Sequence, residues 1–464
     1  MSSDTTTVVN PATESAITDL PLSGVGETDE AVARSLAVAP AWRAVAPADR
    51  ARLLRRFAAQ VEEHAEELAQ LETANVGKAI RDSRDEVGMV AEVLYFYAGA
   101  VDKHRGATVP VAGGVDMTFP EPLGVVGAIV PWNFPIAITS WKVGPALATG
   151  NTIVVKPAEI TPLTALRLAE LALDAGIPEG VLQVLVGKGS VVGTRLVEHP
   201  DVAKVAFTGS TEVGRDVMSR ASGTIKRVTL ELGGKSASVI FDDADIERAA
   251  AATPGGVFAN AGQDCCARSR VLVQRTVFDR YLDLLTDAVA RWTVGDPTDP
   301  SVQMGPLVTA AHRRVVEGFL APGMGGPGGV AVETFATGTV PDGPGFWFPP
   351  TVVAPAGPEW RLAREEIFGP VVAVIPFDDE EDAVRLANDT PYGLSGSIWT
   401  RDGARALRMA RAVQAGNLSV NSHSSVRVQT SFGGMKQSGF GRELGLEALA
   451  SYSDVKNVFV STEG

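Results

Sequence analysis

Four short stretches of this 464-residue chain hold residue types whose neighbours suit covalent chemistry. The first is Gly262-Gln263-Asp264-Cys265-Cys266, where the chain's two cysteines stand side by side. A cysteine in a small-residue loop is either a buried, inert hydrophobe or a thiolate nucleophile, and this loop alone leaves both readings open. The second, Glu231-Leu232-Gly233-Gly234-Lys235, follows an apolar run, so Glu231 is either a solvated strand end or a carboxylate available as a base. The third, Pro131-Trp132-Asn133-Phe134-Pro135, also closes an apolar run, and its asparagine suits a turn or an amide donor. The fourth, Phe207-Thr208-Gly209-Ser210-Thr211-Glu212-Val213-Gly214, joins a strand to a helix. Glycine there lets the backbone approach a ligand closely, and the free N–H groups of the helix suit a phosphate.

These stretches need elements to hold them. Residues 47–78 carry Leu53, Leu54, Phe57, Val61 and Leu68 at helical spacing with charges between them, which predicts a helical region. Residues 106–122 alternate around Gly113-Gly114 and predict a hairpin that leaves the main body. From Leu123 onward, apolar runs at 125–130, 152–155, 181–186, 205–207 and 228–230 alternate with helical stretches that include 162–175 and 211–220. Buried strands separated by helices imply a parallel sheet covered on both faces, and ligands bind such sheets at the carboxyl ends of the strands. A second such series starts at Ala237 and continues through 371–374 and 394–399. The Gly- and Pro-rich residues 323–345 are read as surface loops. Residues 452–460 alternate like a strand and, with the hairpin at Gly113, are expected to form an arm between subunits.

Composition narrows the class. The chain is 45% hydrophobic and 21% charged, as a folded globular protein is, and a length of 464 suggests two or three domains. A formal net charge of −14 without a Lys/Arg run excludes nucleic acid and anionic membranes as expected partners. No stretch reaches the roughly 18 apolar residues of a membrane span, and the N-terminus lacks a signal pattern. Two adjacent cysteines make no disulfide scaffold, so a reducing, cytoplasmic setting is expected. The five histidines, His64, His104, His199, His312 and His423, show no metal-ligand spacing, and no metal is expected.

The four clusters, in this order, stand with Lys156-Pro157-Ala158-Glu159, Glu365-Glu366-Ile367-Phe368-Gly369-Pro370 and Phe432-Gly433-Gly434. Together they resemble the aldehyde dehydrogenase superfamily, from about Asn10 to the C-terminus. That resemblance implies an α/β chain with a Rossmann-like dinucleotide-binding domain (residues 1–105 and 123–233) and an α/β catalytic domain (234–430). A β oligomerisation arm with the C-terminal segment (106–122 and 431–464) completes it, in a homodimer or homotetramer. Residue by residue, Cys265 matches the nucleophile, and Cys266 a neighbour expected to be dispensable. Asn133 matches the oxyanion donor acting with the Cys265 N–H, and Glu231 the general base that hydrolyses a thioester. Members that pass the acyl group to coenzyme A generally lack this glutamate, so release of a free acid is expected.

For the cofactor, the resemblance assigns Lys156 and Glu159 to the adenosine ribose, Gly209 and Ser210 to the pyrophosphate, and Glu366 and Phe368 to the nicotinamide riboside. Trp132 joins this cofactor set. A carboxylate at Glu159 favours NAD, with NADP second. Trp132, Phe134, Trp141 and Phe432 fall where the family places aromatic walls of the aldehyde tunnel. The Gly-Gln-Asp-Cys form resembles bacterial 4-aminobutyraldehyde dehydrogenases. Asp264 is therefore read as a partner for a substrate ammonium, or else as a loop cap that points away. His423 occupies an aromatic-wall position of betaine aldehyde dehydrogenases, and Ser431 stands where proline commonly precedes Phe-Gly-Gly. The expected substrate is an ω-aminoaldehyde such as 4-aminobutanal, then a betaine-type aldehyde, then a broad aliphatic or aromatic range.

Overall fold

Strands that are covered on both faces must be apolar along their whole length, and Val125–Ile129, Thr152–Lys156 and Val202–Thr208 are valine-rich and buried at nearly every position. In the computed structural model, which describes residues 4–321, 334–424 and 426–463, they form the middle of a six-stranded sheet. Its order is Gly439–Phe440, Arg227–Glu231, Val202–Thr208, Val125–Ile129, Thr152–Lys156, Leu182–Val184. Every pairing is parallel except that of Gly439–Phe440, which runs antiparallel to Arg227–Glu231. Helices Pro47–Glu63, Ile80–Ala100, Pro135–Ala148 and Leu163–Asp174 pack one continuous apolar core against this sheet. Val25–Ala44 and Thr211–Ala221 contribute to a smaller core on the other face.

A second sheet of seven strands runs Thr334–Thr337, Thr351–Val353, Val371–Phe377, Arg270–Gln274, Ala237–Ile240, Ser395–Trp399, Asn417–Val420. It is parallel apart from the edge strand Thr334–Thr337, and it has its own core. The α/β class with two parallel series is therefore as the sequence indicated.

Two expectations change in detail. The helical region at 47–78 is two helices, Pro47–Glu63 and Ala65–Val76, broken at His64 and ended by Gly77 at a left-handed φ of 85°. Within the expected loops at 323–345, Thr334–Thr337 pairs antiparallel with Thr351–Val353, so that part is an edge strand; residues 323–333 lie outside the described residues. Four alternating residues after a glycine-rich run carry too weak a period to be read as a strand. The hairpin is present as Thr108–Val111 and Gly114–Pro122, and Ser453–Ser461 pairs along the whole of Gly114–Pro122. This three-stranded sheet leaves Val109, Phe119, Val455 and Phe459 exposed. Among the described residues no helix is long and apolar enough to cross a membrane.

Candidate active site

The register of the six-stranded sheet brings the four sequence clusters together. Ile129 pairs with Lys156 and with Phe207, and Thr208 pairs with Glu231, so these strands end in one row. Residues 130–134, 156–159, 208–210 and 231–234 therefore leave from carboxyl ends, where an open parallel sheet binds its ligands. Cys265 comes from the opposite sense, in the loop that leads into Arg270–Gln274 of the second sheet.

That loop is held in an unusual conformation. Asn260, Ala261 and Gly262 have successive φ values of 50°, 55° and 70°. A non-glycine residue pays roughly 1–2 kcal/mol to sit there, so the surroundings must impose it. They do so through a closed polar network. Asn260 Nδ2 donates to the Asn133 carbonyl at 3.0 Å and to the Gln263 carbonyl at 3.2 Å, and Gln263 Nε2 donates back to the Asn260 carbonyl at 2.9 Å. Gln263 Oε1 accepts from the Val308 N–H at 2.9 Å. Asn133, 4% exposed, donates from Nδ2 to the Gln263 carbonyl at 2.9 Å, which leaves its second amide hydrogen for a ligand. Gly262 admits no other residue, since a Cβ there would lie 2.2 Å from the Gly369 carbonyl oxygen.

Two cavities meet at this loop. One, of about 240 Å³, is bounded by residues 131–134, Gly209, Ser210, Gly233, Glu366 and Phe368. The other, of about 460 Å³, is lined by Met89, Trp141, Phe432, His423, Arg268 and Asp264 among others. Cys265, Glu231, Phe134, Ile138, Thr208 and Leu232 line both. Trp132 belongs to the smaller cavity, with its ring 5.2 Å from that of Phe368; it is not a wall of the larger one, where the family pattern also put it. Trp141 and Phe432 meet edge to face at 5.2 Å and do form that wall.

The smaller cavity has the character of a dinucleotide site. Ser210 caps helix Thr211–Ala221 by accepting from the Val213 N–H at 3.3 Å. A Cβ on Gly233 would fall 2.2 Å from a Glu366 carboxylate oxygen, so a larger residue would displace the carboxylate that accepts from the Gly234 N–H at 3.0 Å. Lys156 Nζ lies 3.0 Å from Glu159 Oε2. Beyond it a slot of about 440 Å³, lined by Ile129, Gly189, Val197, Phe207, Val213 and Val217, offers apolar walls for a flat ring. A chain of glycine, helix N-terminus, carboxylate and apolar slot fits a dinucleotide.

Electrostatics separate the reactive groups. Glu231 is 4% exposed, and neither carboxylate oxygen has a partner. Burial, then the nearby Glu443, raise its pKa well above the ordinary carboxylate range, against Lys142 and Arg442. Lys142 is the one charged residue in the fully buried helix Pro135–Ala148; it pairs with Glu443 and donates to Thr208 Oγ1 at 2.8 Å. The sequence reading missed this pair, although a lone lysine within an apolar helix was a usable signal. The Cys265 thiol is pushed up by its hydrogen bond to Cys266, by burial and by nearby carboxyls. Asp264 accepts the Cys266 N–H at 2.8 Å and also lines the larger cavity. Ser431 donates to Glu447 at 2.7 Å, away from both cavities.

The sequence pattern of the aldehyde dehydrogenase family matches residues 1–458. The chain belongs to this family. PuuC of Escherichia coli (strain K12), described as an NADP/NAD-dependent aldehyde dehydrogenase, is 41% identical over 99% of this chain and 93% of its own. A betaine aldehyde dehydrogenase of Mesorhizobium japonicum (strain LMG 29417 / CECT 9101 / MAFF 303099) is 42% identical over 98% and 93%. The crystal structure of PnpE from Pseudomonas sp. WBC-3 superposes with a TM-score of 0.95 at 43% identity, covering 99% of this chain and 95% of that one. PnpE has also been solved in complex with nicotinamide adenine dinucleotide, with the same TM-score. This aldehyde dehydrogenase is an NAD- or NADP-dependent oxidoreductase.

Proposed function

We propose that the chain oxidises an aldehyde to the free carboxylic acid through a thioester on Cys265, with NAD preferred over NADP. The observation that carries this reading is that Cys265 and Glu231 line both cavities, one suited to a dinucleotide and one to an aldehyde. The Cys265 thiolate adds to the aldehyde carbon. The negative charge that develops on oxygen is met by the second Asn133 amide hydrogen and the Cys265 N–H, two fixed donors in a dry site. NAD would be held by Lys156, Glu159, Gly209, Ser210, Glu366 and Phe368, and would accept the hydride that the adduct must lose from its carbon to become the thioester. Glu231 then takes a proton from water, the hydroxide attacks the thioester carbon, and the acid leaves as the thiolate is restored. Burial and the nearby Glu443 raise the Glu231 pKa, so this step is expected to speed as pH rises. Water rather than coenzyme A is the acceptor because this base is present beside the thioester.

The aldehyde side supports an ω-aminoaldehyde such as 4-aminobutanal. Asp264 adjoins the nucleophile on the cavity wall, and Trp141, Phe134 and Phe432 give faces that suit a methylene chain or a cation. The relative described as a betaine aldehyde dehydrogenase has a cationic aldehyde in its name. We further propose residues 1–105 with 123–233 as the cofactor domain and 234–430 as the catalytic domain. The exposed apolar sheet of Thr108–Val111, Gly114–Pro122 and Ser453–Ser461 pairs subunits in a dimer or tetramer in the cytoplasm.

Two measurements test this. With Glu231→Gln, one equivalent of NADH forms in a burst, then turnover falls about 10²–10⁴-fold; an unchanged steady state removes Glu231 as base. With Asp264→Asn, the kcat/KM advantage of 4-aminobutanal over butanal disappears; equal rates for both aldehydes on the native enzyme reject the amine reading.

A further inference from the structure

The loop that follows Cys265 carries two buried arginines, and their charges are met differently. Arg270 is 3% exposed and donates to the Leu386 and Ala387 carbonyls, at the negative end of helix Glu380–Asn388, and to the Lys235 carbonyl, each at 2.9 Å. Arg268 is 2% exposed and has no such end to face. Its Nε donates to Ser397 Oγ at 2.8 Å, one Nη to the Cys266 carbonyl, and the other to the His423 carbonyl at 3.1 Å. None of these partners is a carboxylate. A buried guanidinium without an anion costs several kcal/mol. A buried charge of this kind that lines a cleft marks a candidate functional group. Arg268 lines the same cavity as Cys265.

We propose that Arg268 is a positioning residue for the reaction: it ties the nucleophile loop to the wall formed by Ser397 and His423, and its field favours the Cys265 thiolate. The groups around that thiol are otherwise mostly acidic. Asp264 and Cys266 flank it on its own loop, Glu366 faces it from the loop after helix Arg361–Arg364, and Glu231 from the first sheet. Glu86, Glu443 and the neutral His423 lie further along the cavity. The cations Lys78 and Lys142 are already engaged by Glu72 and Glu86 and by Glu443. Among the described residues that line this cavity Arg268 is the one Lys or Arg, and its hydrogen bonds go to no carboxylate. Burial lowers the Arg268 pKa, against the nearby Cys266, Asp264 and Cys265.

The test is alkylation by iodoacetamide as a function of pH, on a Cys266→Ser background so that one thiol reports. Arg268→Gln keeps hydrogen bonding but drops the charge, and its midpoint is expected to rise by at least about one pH unit. Arg268→Lys keeps the charge, and Ser397→Ala removes one anchor; both should stay within about 0.3 unit of the parent. If Arg268→Gln does not fold, Arg268→Met replaces it in the same comparison. An unchanged midpoint in a folded neutral variant overturns the proposal, leaving a purely structural arginine. A rise in KM confined to aldehydes that bear a carboxylate, with the midpoint unchanged, also overturns it and makes Arg268 a substrate anchor. The test does not depend on the amine reading of Asp264, because no aldehyde is present when the thiol is titrated.

Discussion

The two cavities that share Cys265 and Glu231 are built on different physical plans. The smaller cavity, the proposed cofactor side, leans on backbone: Gly209 and Ser210 at a strand-to-helix turn, and Gly233 beneath Glu366, beside the rings of Trp132 and Phe368. The larger cavity, the proposed aldehyde side, is made by side chains from far apart in sequence, among them Glu86, Asp264, Arg268, His423 and Glu443, several of them buried charges. A site made by backbone binds what every member of a family shares. A site made by side chains can be retuned one residue at a time, so substrate preference lives there.

The sharpest way to break this comparison is at the seam. Asn133 is locked to the nucleophile loop by its bond to Gln263, yet its backbone belongs to the cofactor side. Asn133→Ala is expected to lower kcat/KM by about 10²–10³-fold, the loss typical of one oxyanion donor. The Kd for NAD, followed by tryptophan quenching, should stay within about twofold. Equal losses in both would mean that the network around Asn133 supports the cofactor side as a whole, and that the two plans are one.

A second effect, of roughly 3 kcal/mol at most, lies in stability. Burial raises Glu366 from its ordinary 4.5 to about 7. A carboxyl with a raised folded pKa stabilises the fold fully below its unfolded pKa, and that contribution is lost as pH rises through the folded one. The ligand-free enzyme should therefore lose stability between about pH 4.5 and 7, and Glu366→Gln should lose up to roughly 3 kcal/mol less over that span. Urea unfolding of both proteins at pH 5 and pH 8 measures it. Parallel pH profiles would show that Glu366 titrates normally and is not held in a dry site.

The same contrast explains what could be read from the sequence. Val125–Ile129 and Val202–Thr208 announce themselves as apolar runs because both faces of the sheet are covered, and Phe207-Thr208-Gly209-Ser210 carries its turn chemistry locally. Residues such as Lys142 and Glu443 are 301 positions apart and meet only through packing, so no local period reveals them. Arg268 escaped for another reason: three residues after Cys265, an arginine reads as a surface charge until its three acceptors are known. Thr334–Thr337 reads as loop because an edge strand of four residues needs little apolar alternation. Asp264 could be placed beside the nucleophile from sequence, but not its hydrogen bond to the Cys266 N–H, which depends on the turn.

The smallest effect sharpens the cofactor side, where a side chain does intrude on the backbone plan. Glu159 is about a third exposed and lies 3.0 Å from the Lys156 ammonium. A carboxylate there accepts hydrogen bonds from a ribose hydroxyl and repels a phosphate on the same oxygen. Solvent screens a partly exposed group, so its contribution is on the order of 1 kcal/mol. Glu159→Gln should shift the NAD-to-NADP ratio of kcat/KM about fivefold toward NADP, since Lys156 stays behind to meet the added phosphate. A shift beyond a hundredfold would mean that this carboxylate is far better shielded with the dinucleotide bound than its exposure suggests. No shift would mean that the backbone plan alone selects the dinucleotide and that Glu159 serves only to hold Lys156 in place.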